Sequence, residues 1–232
     1  METHVSAVPT KIPSQFTTEF VNDALSASTW DIGNQVLYDL CATYPNHSQD
    51  DVIIAKIWII GRTYAAAIER RHSTDVAVGD AFYETVVAPK IPSSRIDNWF
   101  RAIVADHGDD VALSIETHDK VKKLFGEISG LEKRSLASKY LHFHFPKRFY
   151  IYDSRANKAI AALDKPVCRN LPSLRAHDDV YARFFLRCQA LSKEIISNGG
   201  RQLLPRELDK VLLAYGRKQA SEIAELIRPL EP

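Results

Sequence analysis

One aspartate surrounded by basic and aromatic residues is the feature of this sequence best suited to catalysis. Asp153 follows the apolar run 149–152 and opens DSRANKAIAALD (153–164), which has the pattern of a helix. Residues 133–158 contain seven lysines and arginines but only this one acid. The side chain could cap the helix, because Asp is favoured at that position, or it could be a catalytic carboxylate facing a cleft.

The basic residues near Asp153 are suited to holding phosphate groups. Since the formal net charge of the chain is only +1, any attraction to nucleic acid must come from this local surface. We expect its contact to weaken steeply with salt, as phosphate contacts do. The residues that we assign to nucleic-acid binding are Lys133, Arg134, Lys147, Arg148, Arg155, His142 and His144.

The alternating pair His142 and His144 also raises the question of a metal site. Two histidines at this spacing could bind one metal from a strand, whereas the surrounding pattern predicts the end of a helix. No third ligand has a matching spacing, and the motif HExxH is absent. We therefore expect no metal and no cofactor.

The elements that must position these residues are predicted to be helices, so the fold class is all-α. A three-to-four spacing of apolar residues predicts one long helix over 49–71 and others over 75–88 and 94–106, separated by APKIPSS. Further helices are predicted over 29–45, 117–128, 134–144, 153–164 and 177–197, with helical patterns again in the last thirty residues. Only FYIYD (149–153) resembles a strand, and it is too short for a sheet.

The bulk properties are those of an ordinary soluble protein. The 232 residues, 45% hydrophobic and 25% charged, suit one large domain or two small lobes. We expect a flexible tail over 1–15 and a single domain over 16–232. The three cysteines form no CxxC pair, and no apolar run is long enough for a signal peptide or a membrane span. We therefore expect a cytoplasmic monomer with no membrane partner.

The order of the parts over 117–164 resembles the helix-hairpin-helix DNA glycosylase superfamily. A helix, the tight connection SGLEKR, a second helix carrying SLASKYL, an apolar loop with a proline, and an aspartate opening the next helix follow one another. In that family the hairpin has the form L-P-G-x-G-x-K-x-A, and an acid follows it at a distance like the 16 positions between Ala137 and Asp153. PRELDKVLLAYGRK resembles the closing helix of the 8-oxoguanine branch, so the resemblance covers about 117–218.

The resemblance implies a two-lobed helical fold with a cleft between the lobes, and a reaction that cleaves an N-glycosidic bond. Alignment on Ala137 places Ser135 where family members with lyase activity carry their nucleophilic lysine, and the second hairpin glycine is missing. Lys133, Arg134 and Lys139 lie close enough to be considered as substitutes. A lysine nucleophile must be neutral, which requires burial or a cationic neighbour.

Without that lysine, Asp153 could act alone, as in monofunctional members, by stabilising an oxocarbenium-like sugar and orienting water. The resemblance thus implies a DNA glycosylase that excises a damaged or modified purine, with DNA as its partner. The base would have to leave the stack and enter a pocket. The residues that we consider for this pocket are Trp30, Asn34, Arg62, Tyr64, Glu69 and Tyr152.

Two other functions remain open from the sequence. The same fold could bind nucleic acid or a modified nucleotide without catalysis, for example in defence or in nucleotide modification. Alternatively, the chain could be a helical protein–protein module whose basic stretch is a solvated surface. Arg62 and Glu69, seven positions apart, could likewise form a structural ion pair rather than line a cleft.

Overall fold

A computed structural model describes residues 16–26, 28–70, 80–107, 110–163, 177–197 and 200–226. All regular secondary structure in these ranges is helical, as the sequence predicts. The tail expected over 1–15 lies outside the described residues. Within the described part of the chain, no helix is both long and apolar enough to cross a membrane.

Eleven α-helices and one π-helical stretch follow one another in the described ranges. The first part of the chain contains α1 (Thr18–Leu25), α2 (Asp31–Thr43), α3 (Asp50–Thr63), α4 (Asp80–Phe82), a π-helical stretch (Tyr83–Val87), α5 (Ala88–Ser93) and α6 (Ile96–Ala105). The second part contains α7 (Val111–Ser129), α8 (Arg134–His144), α9 (Ser154–Ala162), α10 (Asp179–Ser197) and α11 (Pro205–Leu226).

The helical hairpin predicted before Asp153 is confirmed. Helix α7 ends at Ser129, and Gly130 adopts the left-handed conformation with φ of 70°, which closes the helix at little cost for glycine. After a short connection, α8 begins at Arg134 and packs against α7. Residues 149–153 then run extended without forming a strand, and lead into α9.

The prediction of one helix over 49–71 is wrong, because α3 ends at Thr63. The chain turns through Ala65, whose φ is 50°, and two backbone hydrogen bonds close the helix end. The amide of Ala65 donates to the carbonyl of Arg62, and the amide of Ala66 donates to the carbonyl of Gly61 (2.7 Å). This is the Schellman arrangement, which normally has glycine at the left-handed position.

The prediction that APKIPSS separates two helices is also wrong, since Ala88–Ser93 forms α5. The π-helical turn directly before α5 places Pro89 in the first turn of the new helix. Pro89, which has no N–H to donate, follows this π-helical turn, and the bulge lets the helical backbone continue through the proline. Residues 71–79, which include the start of the predicted helix over 75–88, lie outside the described residues.

The buried apolar side chains form two clusters. The first cluster draws on α2, α3, the π-helical stretch and α5 to α8. The second cluster draws mainly on α9, α10 and α11, with Phe16 and Ile115. Each cluster contains one buried free cysteine, Cys41 in the first and Cys188 in the second. The polar side chains described next come from helices of both clusters.

Candidate functional site

One polar face of α8 fixes the extended segment that carries Asp153. Ser138 and Lys139 lie three and four positions after Ser135, so all three side chains project from one side of the helix. The Ser138 hydroxyl accepts from the amide of Tyr152 (3.0 Å), and the Ser135 hydroxyl donates to the carbonyl of Tyr152 (3.2 Å). These bonds take the place of a strand partner and set the entry of the chain into α9.

Asp153 caps α9, as one of its two predicted roles requires. Its Oδ1 accepts a hydrogen bond from the amide of Ala156 (2.7 Å), and its backbone is extended. The residue as a whole is partly exposed. Capping uses only one carboxylate oxygen, and it therefore does not prevent a second role.

Lys139 brings a buried amine to the position of Ser135. Its Nζ donates to the Ser135 hydroxyl at 2.5 Å and to the carbonyl of Tyr152 at 3.3 Å, and the residue is only 2% exposed. Burial lowers the pKa of the Lys139 ammonium, while the charges of Asp153 and Asp209 act in the opposite direction. A buried amine with a lowered pKa is closer to the neutral form that a nucleophile needs.

Tyr64 links Lys139 to a second group of polar residues. Its ring lies 5.8 Å from the Lys139 ammonium and 5.9 Å from the guanidinium of Arg206, which is within the range of cation–π contacts. Its hydroxyl donates to Oδ1 of Asn34 (2.6 Å). Tyr64 and Asn34, which the sequence assigns to one pocket, are therefore brought together.

Arg206 and Asp209, one turn apart on α11, complete this group. Arg206 Nη1 donates to Asp209 Oδ2, while Asp209 Oδ1 and Arg206 Nε are buried without a hydrogen-bond partner among the described residues. Burial raises the pKa of Asp209 to about 6, and the nearby Asp153 charge contributes in the same direction. Buried polar atoms normally have hydrogen-bond partners. Two unsatisfied atoms in one arginine–aspartate pair therefore favour a binding site in which a ligand supplies the missing partners.

A pocket of about 290 Å³ opens beside this group. It lies between the first turns of α2 and the start of α11, and we call it the Asn34 pocket. Asn34 is 6% exposed, and its Nδ2 is a third buried atom that has no partner in the ranges that the structure describes. The residues of the pocket that matter below are Asp31, Asn34, Tyr38, Arg206, Glu207 and Lys210.

Tyr38, on the wall of this pocket, has a fixed hydrogen-bond direction. Nδ1 of the buried His142 lies 2.8 Å from the carbonyl of Phe149, which can only accept, so Nδ1 carries the hydrogen. Burial lowers the pKa of His142 to about 4, so the ring is neutral and its Nε2 is a bare acceptor. Tyr38 therefore donates its hydroxyl hydrogen to Nε2 (2.7 Å) and keeps an acceptor oxygen.

Other residues predicted to form the base pocket lie elsewhere. Arg62 forms an ion pair with Glu69 (2.6 Å), and Glu69 also accepts from the hydroxyl of Tyr83. Because α3 ends at Thr63, this pair closes across a turn rather than along one helix. Trp30 is 69% exposed, so it is not packed at the start of α2.

Several basic residues predicted to contact phosphates are used inside the protein. Lys133 is buried, and its Nζ donates to the carbonyls of Ala67 (3.0 Å) and Arg70 (2.8 Å). Arg134 pairs with Asp178 (2.6 Å). Arg148 pairs with Asp106 and also donates to backbone carbonyls.

The other predicted contact residues divide in the same way. Lys147 and Arg155 are exposed, whereas His142 is held inside by Tyr38 and Phe149. His144 packs against the rings of Phe100 and Tyr140. Among the residues that the structure describes, no group of three or more His, Cys, Asp or Glu side chains is arranged to hold a metal ion.

The sequence interpretation missed Tyr38, Arg206 and Asp209. A signal for Asp209 was present, since it lies among the apolar positions Leu208 and Leu212 of an amphipathic helix. A charged residue next to the apolar face of a helix needs a buried partner, and Arg206 provides one. Tyr38 gives no such signal, because its role depends on His142, which is 104 positions away.

Comparison of the chain with protein-family models, curated proteins and solved structures finds no match. The interpretation of the site therefore depends on its own geometry. That geometry joins a partly exposed carboxylate, a buried amine and a small pocket with unsatisfied donors.

Proposed function

We propose that this protein is a DNA glycosylase-like enzyme that releases a damaged or modified base, of the purine type, by hydrolysing its N-glycosidic bond. The observation that carries the proposal is the hydrogen bond between Lys139 and Ser135. The ammonium of Lys139 lies 2.5 Å from the Ser135 hydroxyl, beside the segment that ends in Asp153. This contact supports the proposal, because the amine of Lys139, one helical turn after Ser135, could take the part of the family lysine.

The fold is also compatible with a two-lobed helix-hairpin-helix architecture. Helices α7 and α8 form a hairpin closed by Gly130, and the buried apolar residues form two clusters. The Asn34 pocket lies between α2, from the first cluster, and α11, from the second. We propose that this pocket is the inner part of the cleft and that it receives the base.

In the proposed reaction, the bond between the sugar C1′ and the base nitrogen breaks, and its electron pair leaves with the base. Asp153 stabilises the positive charge that develops on the sugar and orients a water molecule. The oxygen of this water bonds to C1′, and its proton goes to the leaving base. Lys139 stabilises the negative charge on the base or, when neutral, attacks C1′ in place of water.

Base release from duplexes carrying 8-oxoguanine, uracil or alkylated bases tests the proposal. We expect Asp153→Asn to lower the rate of base release by about 100-fold or more, because the carboxylate is lost. The melting temperature should stay close to that of the wild type, because Asn caps a helix about as well as Asp. A rate that is unchanged, or no base release by the wild type from any duplex, would contradict the proposal.

A matched control is Asp110→Asn. Asp110 caps α7 by accepting from the amide of Leu113 (3.0 Å), so the same cap chemistry is changed outside the site. We expect normal base release from this variant. Borohydride trapping then separates the two routes, since a covalent adduct that Lys139→Met abolishes assigns the attack to Lys139, and base release without an adduct assigns it to water.

A second candidate function, binding of a nucleotide without catalysis, is favoured by one observation. Lys133, Arg134 and Arg148 are engaged by partners within the protein, so three of the seven lysines and arginines over 133–158 are already paired. Specific binding of a modified nucleotide by the wild type, without base release from any duplex, would support this candidate.

A further inference from the structure

We propose that the Asn34 pocket selects a heterocycle with a lactam edge, in which a ring N–H lies next to a carbonyl. Hypoxanthine, guanine, uracil and 8-oxopurines carry such an edge, whereas adenine and cytosine carry an amino group next to a bare ring nitrogen. The inference deepens the proposed function by naming the base, and it rests on that function for the reaction but not for the binding.

The donor for the carbonyl is Asn34. The hydroxyl of Tyr64 donates to Oδ1 of Asn34 (2.6 Å), so Nδ2 is the atom of the amide group that takes no part in this bond. Nδ2 is buried and has no partner in the described part of the protein, and Asn34 lines the pocket. A buried donor without a partner is costly, so an acceptor on a ligand would be strongly favoured at this position.

The acceptor for the ring N–H is Tyr38. Its hydrogen is committed to Nε2 of His142, which leaves the hydroxyl oxygen as an acceptor on the pocket wall. Asn34 and Tyr38 are four positions apart on α2 and therefore project from the same side of the helix. A donor and an acceptor one helical turn apart on the same side of α2 match the carbonyl and the N–H of a lactam.

Arg206 distinguishes this edge from that of adenine. Its Nε is a second buried donor that no described residue satisfies, and both Arg206 and Asn34 contact Tyr64. A carbonyl oxygen has two lone pairs and can accept from both donors, whereas a bare ring nitrogen has one. An adenine edge in the same pocket would leave one donor unsatisfied.

The charges and size of the pocket favour a neutral base over a phosphate. Lys210 pairs with Asp31 (2.9 Å), Arg201 pairs with Glu207 (2.8 Å), and Arg206 pairs with an acid of its own helix. Each cation of the pocket is thus matched by an acid. The volume of about 290 Å³ is near the lower end of small-molecule pockets, about 300 to 1,000 Å³, which suits one base or nucleoside.

Calorimetric titration with inosine, 1-methylinosine and adenosine tests the inference. Inosine has the complete edge, 1-methylinosine lacks only the N–H, and adenosine has the amino edge. We expect inosine to bind about tenfold more tightly than either of the others, because each lacks one hydrogen bond or leaves a donor unpaired. Equal affinities, or no binding of inosine at millimolar concentration, would overturn the inference.

Two variants assign the selectivity to its residues. Tyr38→Phe removes the acceptor and should bind inosine and 1-methylinosine equally. Asn34→Ala should weaken the binding of inosine about tenfold, and thermal melting confirms that each variant is folded. Val36→Ala, which changes an exposed position of the same helix, should bind inosine like the wild type. Retained inosine selectivity in Tyr38→Phe would contradict the assignment.

The outcomes separate this inference from the proposed function. If inosine binds selectively but the wild type releases no base from an inosine-containing duplex, the binding inference stands and the glycosylase proposal fails. If the wild type releases adenine in preference to hypoxanthine, the glycosylase proposal stands and the inference fails.

Discussion

Lys133 and Lys139 belong to one basic stretch of the sequence but have different surroundings. The ammonium of Lys133 donates to two backbone carbonyls of the segment that follows α3, whereas that of Lys139 meets the Ser135 hydroxyl. Burial lowers the pKa of both lysines, that of Lys133 to about 8. The difference between them lies in their partners: Lys133 donates to two backbone carbonyls of one turn, whereas Lys139 donates to a hydroxyl and to the carbonyl of Tyr152, the residue before Asp153.

We expect Lys133→Met to destabilise the protein by about 1 to 3 kcal/mol, because two carbonyls lose their donor. Lys147→Met, at an exposed position, is the matched control and should change the free energy of unfolding little. Urea denaturation of both variants measures the difference. An equal effect of the two substitutions would show that Lys133 does not hold the backbone of Ala67 and Arg70.

At the residue scale, the sequence predicts local roles better than distant ones. The cap formed by Asp153 depends only on Ala156, three positions later, and it was predicted. Asn34 and Tyr64 were named for one pocket and do meet. The acceptor state of Tyr38, by contrast, depends on a histidine of another helix, and no pattern within α2 could reveal it.

The end of α3 shows how one element is terminated without the usual glycine. Ala65 occupies the left-handed position of the Schellman motif, and its side chain is exposed. An alanine in this conformation is strained by about 1 to 2 kcal/mol, because its Cβ approaches the backbone carbonyl. Because position 65 is not a glycine, the sequence carries no signal for the end of this helix. The apolar periodicity, which continues past Thr63, therefore predicted a longer helix than the protein has.

Replacement of Ala65 by Gly should therefore stabilise the protein by about 0.5 to 1 kcal/mol, the relief of strain less the entropy that glycine loses on folding. The same substitution at Ala102, an exposed position within α6, should destabilise it by about 0.5 to 1 kcal/mol. Thermal melting of both variants gives the two signs. A lower melting temperature for Ala65→Gly would contradict the strain argument.

Gly61 has a separate role in the same motif. A Cβ at this position would lie 3.1 Å from the Cα of Ala67, whose carbonyl is held by Lys133. We expect Gly61→Ala to lower stability although Ala favours helices. Gly33→Ala, also within a helix but with open space around the new Cβ, should raise stability by about 1 kcal/mol. Chemical denaturation compares the two variants. A gain in stability for Gly61→Ala would show that the turn shifts to accommodate the new Cβ.

At the element scale, the helices around the hairpin were predicted because their ends carry strong local signals. Gly130 ends α7, and Asp153 starts α9. The region over 80–93 was not predicted well, since prolines were taken as breaks in the chain. The π-helical turn that places Pro89 in a first helical turn has no clear sequence signal.

For the whole molecule, several histidines are buried in neutral form. Burial lowers the pKa of His47 and His142 to about 4 and that of His118 to about 3, against about 6.5 for an unfolded histidine. Below pH 6.5 the unfolded chain therefore binds protons that the folded protein excludes. Asp209 acts in the opposite direction, because burial raises its pKa to about 6.

We expect stability to fall as the pH drops from about 6.5 to about 4. Each excluded proton contributes about 1.4 kcal/mol per pH unit. Burial also lowers the pKa of His144, which makes four such histidines among the described residues, and Asp209 offsets about one of the four. Denaturation at a series of pH values measures the slope. His118→Phe should reduce it by about one proton, and a stability that does not change between pH 6.5 and 4.5 would contradict the buried neutral state.

The all-α fold class was predicted correctly for the residues that the structure describes, because helix periodicity alone indicates it. The arrangement of the helices was predicted only through the resemblance over 117–218, and it remains a proposal beyond the all-α class. The Asn34 pocket could not be predicted from periodicity, since α2 and α11 are far apart in the chain and are brought together only by the tertiary fold.

The two buried cysteines can report separately on the opening of the two apolar clusters. Cys41 and Cys188 lie in different apolar clusters, are 2% and 1% exposed, and have thiol pKa values raised by burial. Neither thiol can be alkylated until its own cluster opens. In a chain whose Cys168 has been replaced by serine, equal modification rates would indicate that both clusters open in one cooperative event. Unequal rates would show which of the two clusters opens more readily, without any added probe.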